Sequence, residues 1–279
     1  MNLIDTVIED KYKFIKLLGS SVVFNTYLAV DIGLNKNCII EVYDRTHSRF
    51  ESVIRNQILL ETSMINLNHP TILKVVDVVE NEQCSCIVRE YIVGDTLDVI
   101  LKNNKQLLTV ENVIIYAIQI AEGLHYIHTQ NPPIVHNNIE PKNIILTSDG
   151  KIKIVNLRYP LVHDLDYISS ILFAPGYTAP EGFVRGKADA RTDIYSLGVT
   201  LHQLLTGVDP TKPPYECIPI CHINPFHPKG LEYIIEKCVK PDPNERYQNC
   251  DELLDDLRNY KNLPSKRVFG SKIFKRKGF

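Results

Sequence analysis

The sequence contains no apolar run as long as a membrane-spanning helix requires, no internal repeat and no low-complexity linker. Its first residues, MNLIDTVIEDKYK, lack the charged-then-apolar order of a secretory signal. The seven cysteines are odd in number and scattered, unlike the cysteines of a secreted disulfide framework. We therefore expect a cytoplasmic protein in a reducing compartment.

The scattered cysteines also give little support for a metal site. Cys217, Cys221 and His222 lie close together in the sequence, but no second ligand pair at zinc-finger spacing accompanies them. Half-buried free thiols explain the two cysteines without a metal. We expect neither a metal nor a cofactor.

Apolar side chains, in contrast, are plentiful enough for a sizeable core. Of the 279 residues, 44% are hydrophobic, which suits one large domain or two joined lobes. The formal net charge of −2 hides a basic tail, because residues 264–279 contain six Lys or Arg and no acid, interleaved with apolar residues. This tail is predicted either to contact an anionic membrane surface or nucleic acid, or to be a solvated end.

The hydrophobic pattern changes about one third of the way along the chain. Residues 12–90 read as short strands, interrupted by one helix near 48–67 that ends at His69-Pro70. Beyond Gly94 the pattern is helical, with helices predicted at 110–128, 192–206, 231–239 and 248–260. This order predicts an α+β fold with a small β-rich lobe and a larger α-helical lobe, and ligands of two-lobed proteins usually bind between the lobes. The predicted divisions are an N-terminal extension (1–11), an N-lobe (12–90), a hinge (91–95), a C-lobe (96–263) and the basic tail (264–279).

Several motifs occur in an order and at a spacing that resemble the protein-kinase domain, most closely the bacterial Ser/Thr kinases of eukaryotic type. The segments are IVHNNIEPKNIIL (134–146), IKIVNLR (152–158), GYTAPE (176–181), DIYSLGVTLHQLLTG (193–207) and PNERY (243–247). Their agreement in identity, order and spacing makes the resemblance specific, and it covers about residues 12–260. It implies a two-lobed protein-kinase-like fold.

The residues that match the family are those that hold its scaffold. The resemblance implies a bidentate ion pair between Glu181 and Arg246 that ties the activation segment to the helical lobe. Asp193 matches the acid that accepts backbone N–H groups from the catalytic loop, and His136 keeps its place in that loop. We expect these four residues to maintain the fold rather than the chemistry.

The phosphate-binding positions of the small lobe depart from the family. The family's loop has three glycines, because backbone N–H groups approach phosphate closely, whereas this chain has Gly19 followed by Ser21 and Phe24. The strand lysine that pairs with the nucleotide phosphates aligns with Glu41, which reverses the charge there. These positions are not expected to bind nucleotide.

Two further small-lobe positions concern the partner of that strand residue. Counted back from the His-Pro turn, the family's helix glutamate aligns with Leu60, and Glu61 is its neighbour. Arg89 lies at the gatekeeper position, directly before hinge residue Glu90, at the back of the adenine pocket. Because a buried Arg and a buried Glu each need a partner, we predict an Arg89–Glu41 ion pair that, with the Phe24 ring, fills the nucleotide pocket.

The catalytic positions of the large lobe depart in the same way. Asn138 stands where the family has the Asp that accepts the substrate proton, and Glu140 replaces the lysine that contacts the transferred phosphate. Asn156 replaces the Asp that bridges magnesium to the phosphates, and the other magnesium ligand, Asn143, survives. None of these positions is expected to be functional in catalysis.

The departures predict a pseudokinase, that is, a kinase fold that is not an enzyme and acts as a protein-binding regulatory or scaffold module. Its partner would be an active kinase or the substrate of that kinase, with no small-molecule substrate. One alternative is a kinase-like domain that binds nucleotide without catalysis and without magnesium. The other is an atypical active Ser/Thr kinase that draws a metal-binding acid from Asp164 or Asp166. Phosphorylation of the chain itself at Ser169, Ser170 or Thr178 is left open by the sequence.

Overall fold

The protein divides into an N-terminal unit, residues 1–93, and a C-terminal unit, residues 94–279. The computed structural model describes residues 3–21, 23–44, 51–81, 83–158, 176–183, 187–213 and 217–263. Within these ranges no helix has the length and apolarity needed to cross a membrane. The division between the units falls inside the predicted hinge, 91–95.

The N-terminal unit contains a six-stranded antiparallel sheet with the strand order β1-β2-β3-β4-β6-β5. Its strands are β1 (Val7–Ile8), β2 (Tyr12–Ser20), β3 (Phe24–Asp31), β4 (Lys36–Asp44), β5 (Val75–Glu80) and β6 (Cys84–Glu90). Val7 and Ile8 pair with Lys13 and Tyr12. The predicted N-terminal extension, 1–11, is therefore not separate from the sheet, because two of its residues form the edge strand.

Alternation along the strands gives the sheet two different faces. One face carries an apolar core to which Ile40 and Val42 of β4 and Cys86 and Val88 of β6 contribute. The residues between them, including Glu41 on β4, point to the other face. The sheet thus has one apolar face and one face that carries buried polar groups.

A single described helix, α1 (Glu51–Met64), packs against β5 and β6. Its buried apolar residues are Ile54, Ile58 and Met64, which recur at helical spacing. The helix ends at Met64, three residues before the predicted end at 67, and residues 48–50 of the predicted span lie outside the described residues.

The C-terminal unit is mainly helical. Its helices are α2 (Leu97–Asn103), α3 (Val110–His128), α4 (Ala190–Thr206), α5 (Ile220–Ile223), α6 (Lys229–Cys238) and α7 (Cys250–Arg258). The unit also contains a three-stranded sheet with the order β7-β8-β9. Its strands are β7 (Gly94–Thr96), β8 (Ile144–Thr147) and β9 (Ile152–Ile154). Short 3-10 turns span Lys105–Leu107, Pro141–Asn143, Pro180–Phe183, Pro243–Glu245 and Tyr260–Asn262.

The central helix of this unit is α4, whose ends are fixed by local chemistry. Asp189 and Thr192 form a reciprocal capping box at its start, and Gly207 ends it with a left-handed φ of 74°. Almost every residue of α4 after its first turn is buried, and it packs against α3, α5 and α6. This helix positions the loop at residues 136–143, whose sequence aligns with the family's catalytic loop.

The close approach of α4 to α6 depends on a glycine. A Cβ atom added at Gly198 would lie 2.4 Å from the Cβ of Cys238 and 3.0 Å from a side-chain carbon of Val239. Such overpacking costs about 1–3 kcal/mol, more than the roughly 1 kcal/mol that alanine gains over glycine in a helix.

We therefore expect Gly198→Ala to lower the free energy of unfolding by about 1–2 kcal/mol, measured by urea denaturation. Gly19→Ala is the matched control, because nothing lies within 4 Å of its added Cβ. Equal stability of Gly198→Ala and the wild type would show that the two helices are not in the close contact described.

Candidate functional site

The polar face of the N-terminal sheet holds a buried cluster of three charged side chains, Glu41, Glu61 and Arg89. Arg89 donates two hydrogen bonds of 2.8 Å to the two carboxylate oxygens of Glu61, from Nη1 to Oε2 and from Nη2 to Oε1. A longer bond of 3.2 Å runs from Arg89 Nη2 to Glu41 Oε2, which also accepts a bond from the Tyr43 hydroxyl at 3.0 Å. The predicted Arg89–Glu41 ion pair is present.

The register of the sheet explains why Arg89 and Glu41 meet. Glu41 lies opposite Ile87, and Arg89 lies two residues farther along the same strand. Side chains two residues apart on a strand share a face, so Arg89 and Glu41 are diagonal neighbours. The Arg89–Glu41 pair therefore follows from the register of β4 and β6. An alignment of the sequence with the family motifs already implies this register.

Counting back from the His-Pro turn, however, does not identify the residue of α1 that pairs with Arg89. Leu60 is only half-buried, whereas Glu61 is fully buried and accepts the bidentate bond from Arg89. Helical spacing from Ile54 and Ile58 places Glu61, not Leu60, in the buried stripe. The helix glutamate is therefore Glu61, and the alignment based on the His-Pro turn is off by one residue.

Burial and charge shift the pKa values in this cluster. Burial raises the pKa of Glu61 and is the largest effect, whereas the nearby Arg89 lowers this pKa. Burial disfavours the charged form of Arg89, but the carboxylates of Glu41 and Glu61 outweigh it and hold its pKa above the usual value. The pKa of Tyr43 is raised, first by burial and then by Glu41. Arg89 is therefore the fixed charge around which the acids are arranged.

The loop before β3 is organised by a serine rather than by glycines. Ser21 Oγ accepts hydrogen bonds from the backbone N–H groups of Val23 and Phe24, at 3.2 and 3.0 Å. The Phe24 ring lies 5.1 Å from the Tyr43 ring, centroid to centroid. At the end of β6, a carboxylate oxygen of Glu90 accepts a bond of 2.9 Å from the Lys74 backbone N–H. The expectation that these positions do not bind nucleotide stays a prediction.

In the C-terminal unit, Asp193 orders the loop that carries the catalytic-type motif. Its carboxylate accepts the backbone N–H groups of His136 and Asn137, at 2.7 and 2.8 Å. It also lies 2.8 Å from Nε2 of His128. Burial lowers the pKa of His136 to about 4, so its imidazole is neutral at physiological pH. Asp193 and His136 thus occupy the structural positions that the resemblance implies.

Three side-chain amides form a closed network around this loop. Asn138 Nδ2 donates to the backbone oxygen of Asn156 at 2.8 Å, and Asn156 Nδ2 donates to Asn143 Oδ1 at 2.9 Å. Asn143 Nδ2 donates to the backbone oxygen of Asn138 at 3.1 Å. Asn156 adopts a left-handed φ of 60°, which Asn tolerates better than most other side chains. The amides therefore hold one another and the backbone in place.

Glu140 joins this network and is its only carboxylate among the described residues. Its Oε1 accepts from Asn143 Nδ2 at 3.0 Å and from Lys142 Nζ at 2.9 Å. The carboxylate is largely buried, and burial is the main cause that raises its pKa, although Lys142 opposes the shift. Glu140 also lines a cavity of about 500 Å³ within the C-terminal unit, together with Tyr177 and Gln203.

The network does not fit the magnesium ion that the resemblance implies. Mg²⁺ prefers carboxylate and phosphate oxygens in octahedral geometry. Here Asn143 Oδ1 already accepts a hydrogen bond from Asn156, and Glu140 is neutralised by Lys142. Over the described ranges no group of three or more His, Cys, Asp or Glu side chains could hold a metal ion.

The ion pair predicted between Glu181 and Arg246 is confirmed, and it is bidentate. Arg246 Nη1 and Nη2 donate to the two carboxylate oxygens of Glu181 at 2.5 and 2.9 Å. The remaining guanidinium hydrogens bond backbone oxygens of Lys240, Arg191 and Pro241. Every donor group of the buried guanidinium therefore has a partner, as stability requires.

Other residues singled out from the sequence do not join a site. Burial raises the pKa of the Cys221 thiol to about 11, and its Sγ donates to the backbone oxygen of His227. Asp164, Asp166, Ser169, Ser170 and the basic tail lie outside the described residues. Thr178 is described and is half-buried.

Together, the sheet with its packed helix and the loop ordered by Asp193 are features of a protein-kinase-like domain. Residues 12–261 match the Protein kinase domain family, and the chain belongs to that family.

Curated relatives carry kinase names. The chain is 29% identical over 93% of its length to a probable Ser/Thr protein kinase of Clostridium acetobutylicum. It is 28% identical over 92% of its length to the Ser/Thr protein kinase PrkC of Bacillus subtilis. In both comparisons the match covers 41% of the relative, so the chain spans about two fifths of the length of these proteins.

Solved structures show the same fold. A single-site mutant of the PknI kinase domain from Mycobacterium tuberculosis is 22% identical, with a TM-score of 0.75 over 93% of this chain and 99% of that one. The apo form of PpkA-294 gives a TM-score of 0.78 at 17% identity, over 91% of this chain and 98% of that one. The predicted protein-kinase-like fold is confirmed.

The relatives contradict the prediction that the chain is not an enzyme. Proteins that align with more than nine tenths of the chain are named Ser/Thr protein kinases, whereas the prediction of a pseudokinase had rested on single-residue departures. The departures at Glu41, Asn138, Glu140 and Asn156 remain features of the site.

The charged cluster generates a stability prediction. Glu61→Gln removes the negative charge and sets an amide NH2 donor against one of the two guanidinium nitrogens, which breaks the bidentate pair, whereas Glu41→Gln weakens one longer bond and relieves repulsion between two acids. Because charged hydrogen bonds contribute about 1.5–3 kcal/mol each, we expect Glu61→Gln to lower the free energy of unfolding by about 2–3 kcal/mol. Glu41→Gln should change it by less than about 1 kcal/mol. Guanidinium chloride denaturation measures both, and a larger loss for Glu41→Gln would contradict the assigned geometry.

Proposed function

We propose that this chain is the phosphotransfer domain of an atypical Ser/Thr protein kinase, which moves the γ-phosphoryl group of ATP to a Ser or Thr hydroxyl of a protein. The observation that carries the proposal is the alignment of more than nine tenths of the chain with proteins named Ser/Thr kinases. The predicted protein partner is, on this proposal, the substrate that provides the hydroxyl.

The ordered loop supports the proposal because phosphoryl transfer depends mainly on positioning and on charge. Asp193 fixes the backbone of His136 and Asn137, and the amide network fixes Asn138 and Asn143. A loop held at this many points presents its side chains in one arrangement. This order of the loop supports the proposal, because it fixes the side chains that would act in the transfer.

Glu140 is the group that takes the substrate proton in this proposal, because the neutral amide of Asn138 has no basic site. The carboxylate oxygen of Glu140 and the backbone oxygen of Asn138 lie within about 6 Å of each other, since Asn143 Nδ2 bonds to both. As the hydroxyl oxygen bonds to the γ-phosphorus, its proton moves to Glu140 and the bond from phosphorus to the ADP oxygen breaks. The raised pKa of Glu140 favours this proton transfer.

The departures from the family make this reaction slow. A general base contributes typically about 10²–10⁴ in rate, so an acid that is displaced from the usual position retains only part of that factor. Because the amide network does not fit a magnesium ion, no step is assigned to one. For the basic tail, 264–279, both predictions remain: contact with an anionic membrane surface or nucleic acid, or a solvated end.

The test is a transfer assay with radiolabelled ATP and a mixed library of Ser- and Thr-containing peptides, with magnesium, with manganese and with EDTA. We expect slow transfer by the wild type, a decrease of about 10- to 100-fold in Glu140→Gln, and an increase in Asn138→Asp. Glu122→Gln is the matched control, because Glu122 forms an exposed ion pair with Arg258 away from this loop.

The outcomes separate the parts of the proposal. Wild-type incorporation equal to the no-enzyme blank under all three metal conditions overturns the kinase proposal. Transfer by the wild type that Glu140→Gln does not reduce overturns only the role of Glu140.

A further inference from the structure

Helix α1 has an acid in the middle of its buried stripe. Ile54, Ile58, Glu61 and Met64 are spaced by four, three and three residues, and all four are at most 4% exposed. An unpaired carboxylate at such a position is strongly unfavourable, because it is removed from water without compensation. The orientation of α1 on the sheet therefore depends on what neutralises Glu61.

Arg89 is the group that does so. It reaches Glu61 from β6 with both terminal nitrogens, and it is itself only 3% exposed. The planar guanidinium matches the two carboxylate oxygens, which fixes direction as well as distance. Gln57 adds a bond of 2.9 Å to Glu61 from the same helix. Within the described N-terminal unit, no other cation contacts Glu61.

The position of this cation differs from what the sequence resemblance implies. In the family a strand lysine, at the position of Glu41, pairs with the helix glutamate. Here Glu41 is an acid and accepts a bond of 3.2 Å from Arg89 Nη2, the same nitrogen that bonds to Glu61 Oε1. The helix glutamate has kept its partner charge, but that charge comes from a different strand.

We propose that Arg89 is the positioning residue that holds α1 on the sheet, and that it replaces the strand lysine in this role. The inference goes beyond the proposed function, because it concerns the orientation of α1 and holds whether or not phosphate is transferred. It follows that α1 keeps its place without a lysine at position 41 and without a bound nucleotide.

Variants that remove the positive charge of Arg89 should therefore differ from variants that move this charge to another strand. Arg89→Met leaves two buried carboxylates without a cation. Adding Glu41→Lys to Arg89→Met puts a cation on β4, at the family's own position, where it faces Glu61. Arg89→Lys keeps the charge but loses the bidentate geometry.

The test is hydrogen exchange of the full chain without nucleotide, followed by mass spectrometry, comparing α1 (51–64) with α3 (110–128) as an internal reference. We expect Arg89→Met to lower the protection of α1 at least about tenfold relative to α3, and Arg89→Lys to lower it less. The Glu41→Lys/Arg89→Met double variant should regain most of the protection. Lys11→Met is the matched control, since Lys11 forms an exposed ion pair with Asp77 in the same unit, and it should leave α1 unchanged.

A general loss of stability would lower protection in α1 and α3 alike, and that result would overturn the inference. So would normal protection of α1 in Arg89→Met, or a double variant that is no better than Arg89→Met. If Arg89→Met does not fold, the comparison rests on Arg89→Lys and Glu61→Gln. Unchanged α1 protection in both of those variants would equally overturn it. None of these readouts requires kinase activity, so they are independent of the transfer assay.

Discussion

The buried guanidinium of Arg89 is the constraint on which the N-terminal unit depends. It lies on the face of the sheet opposite the apolar core, and its charge can remain buried only because Glu61 and Glu41 surround it. That requirement fixes α1, because Glu61 is in the buried stripe of the helix. It also fixes the side chain of Tyr43, whose hydroxyl bonds to Glu41. A single cation thus links β4, β6 and α1.

The C-terminal unit orders its loop mainly through hydrogen bonds to backbone and side-chain amide groups. Asp193 is buried and accepts two backbone N–H groups and the His128 ring, so its charge is compensated by hydrogen bonds. The amides of Asn138, Asn143 and Asn156 bond to one another or to nearby backbone oxygens. This arrangement keeps the loop ordered, and Lys142 compensates the one carboxylate, Glu140, that joins the amides. Glu140 is the carboxylate that both joins this network and lines a cavity, which is why the proposed chemistry centres on it.

Much of the fold could be predicted from the sequence, because the strongest signals were long and periodic. Helix α3 was predicted with its observed bounds, and the ion pair of Glu181 with Arg246 followed from the motif order. Short elements such as β8 and β9 were not predicted as strands, since three or four apolar residues carry no clear period. The edge strand formed by Val7 and Ile8 depends on pairing with distant residues that the local sequence does not show.

The candidate site was predictable in its composition but not in its geometry. Strand parity brings Arg89 and Glu41 together, and this could be foreseen. The choice of Glu61 over Leu60 could not be made from a count that began at the His-Pro turn, because one residue around a helix turns a side chain by about 100°. The amide network was also missed, since which amide bonds which oxygen depends on coordinates. The prediction that the chain is not an enzyme is wrong, because proteins named Ser/Thr kinases align with more than nine tenths of the chain despite the single-residue departures.

The most direct test of this account is a double-mutant cycle on the bidentate pair of the cluster. The free energy of unfolding would be measured for the wild type, Arg89→Met, Glu61→Gln and the double variant. Because the two side chains are buried and share two short hydrogen bonds, we predict a coupling energy of about 2–3 kcal/mol. A coupling energy near zero would contradict the claim that Arg89 holds the helix through Glu61.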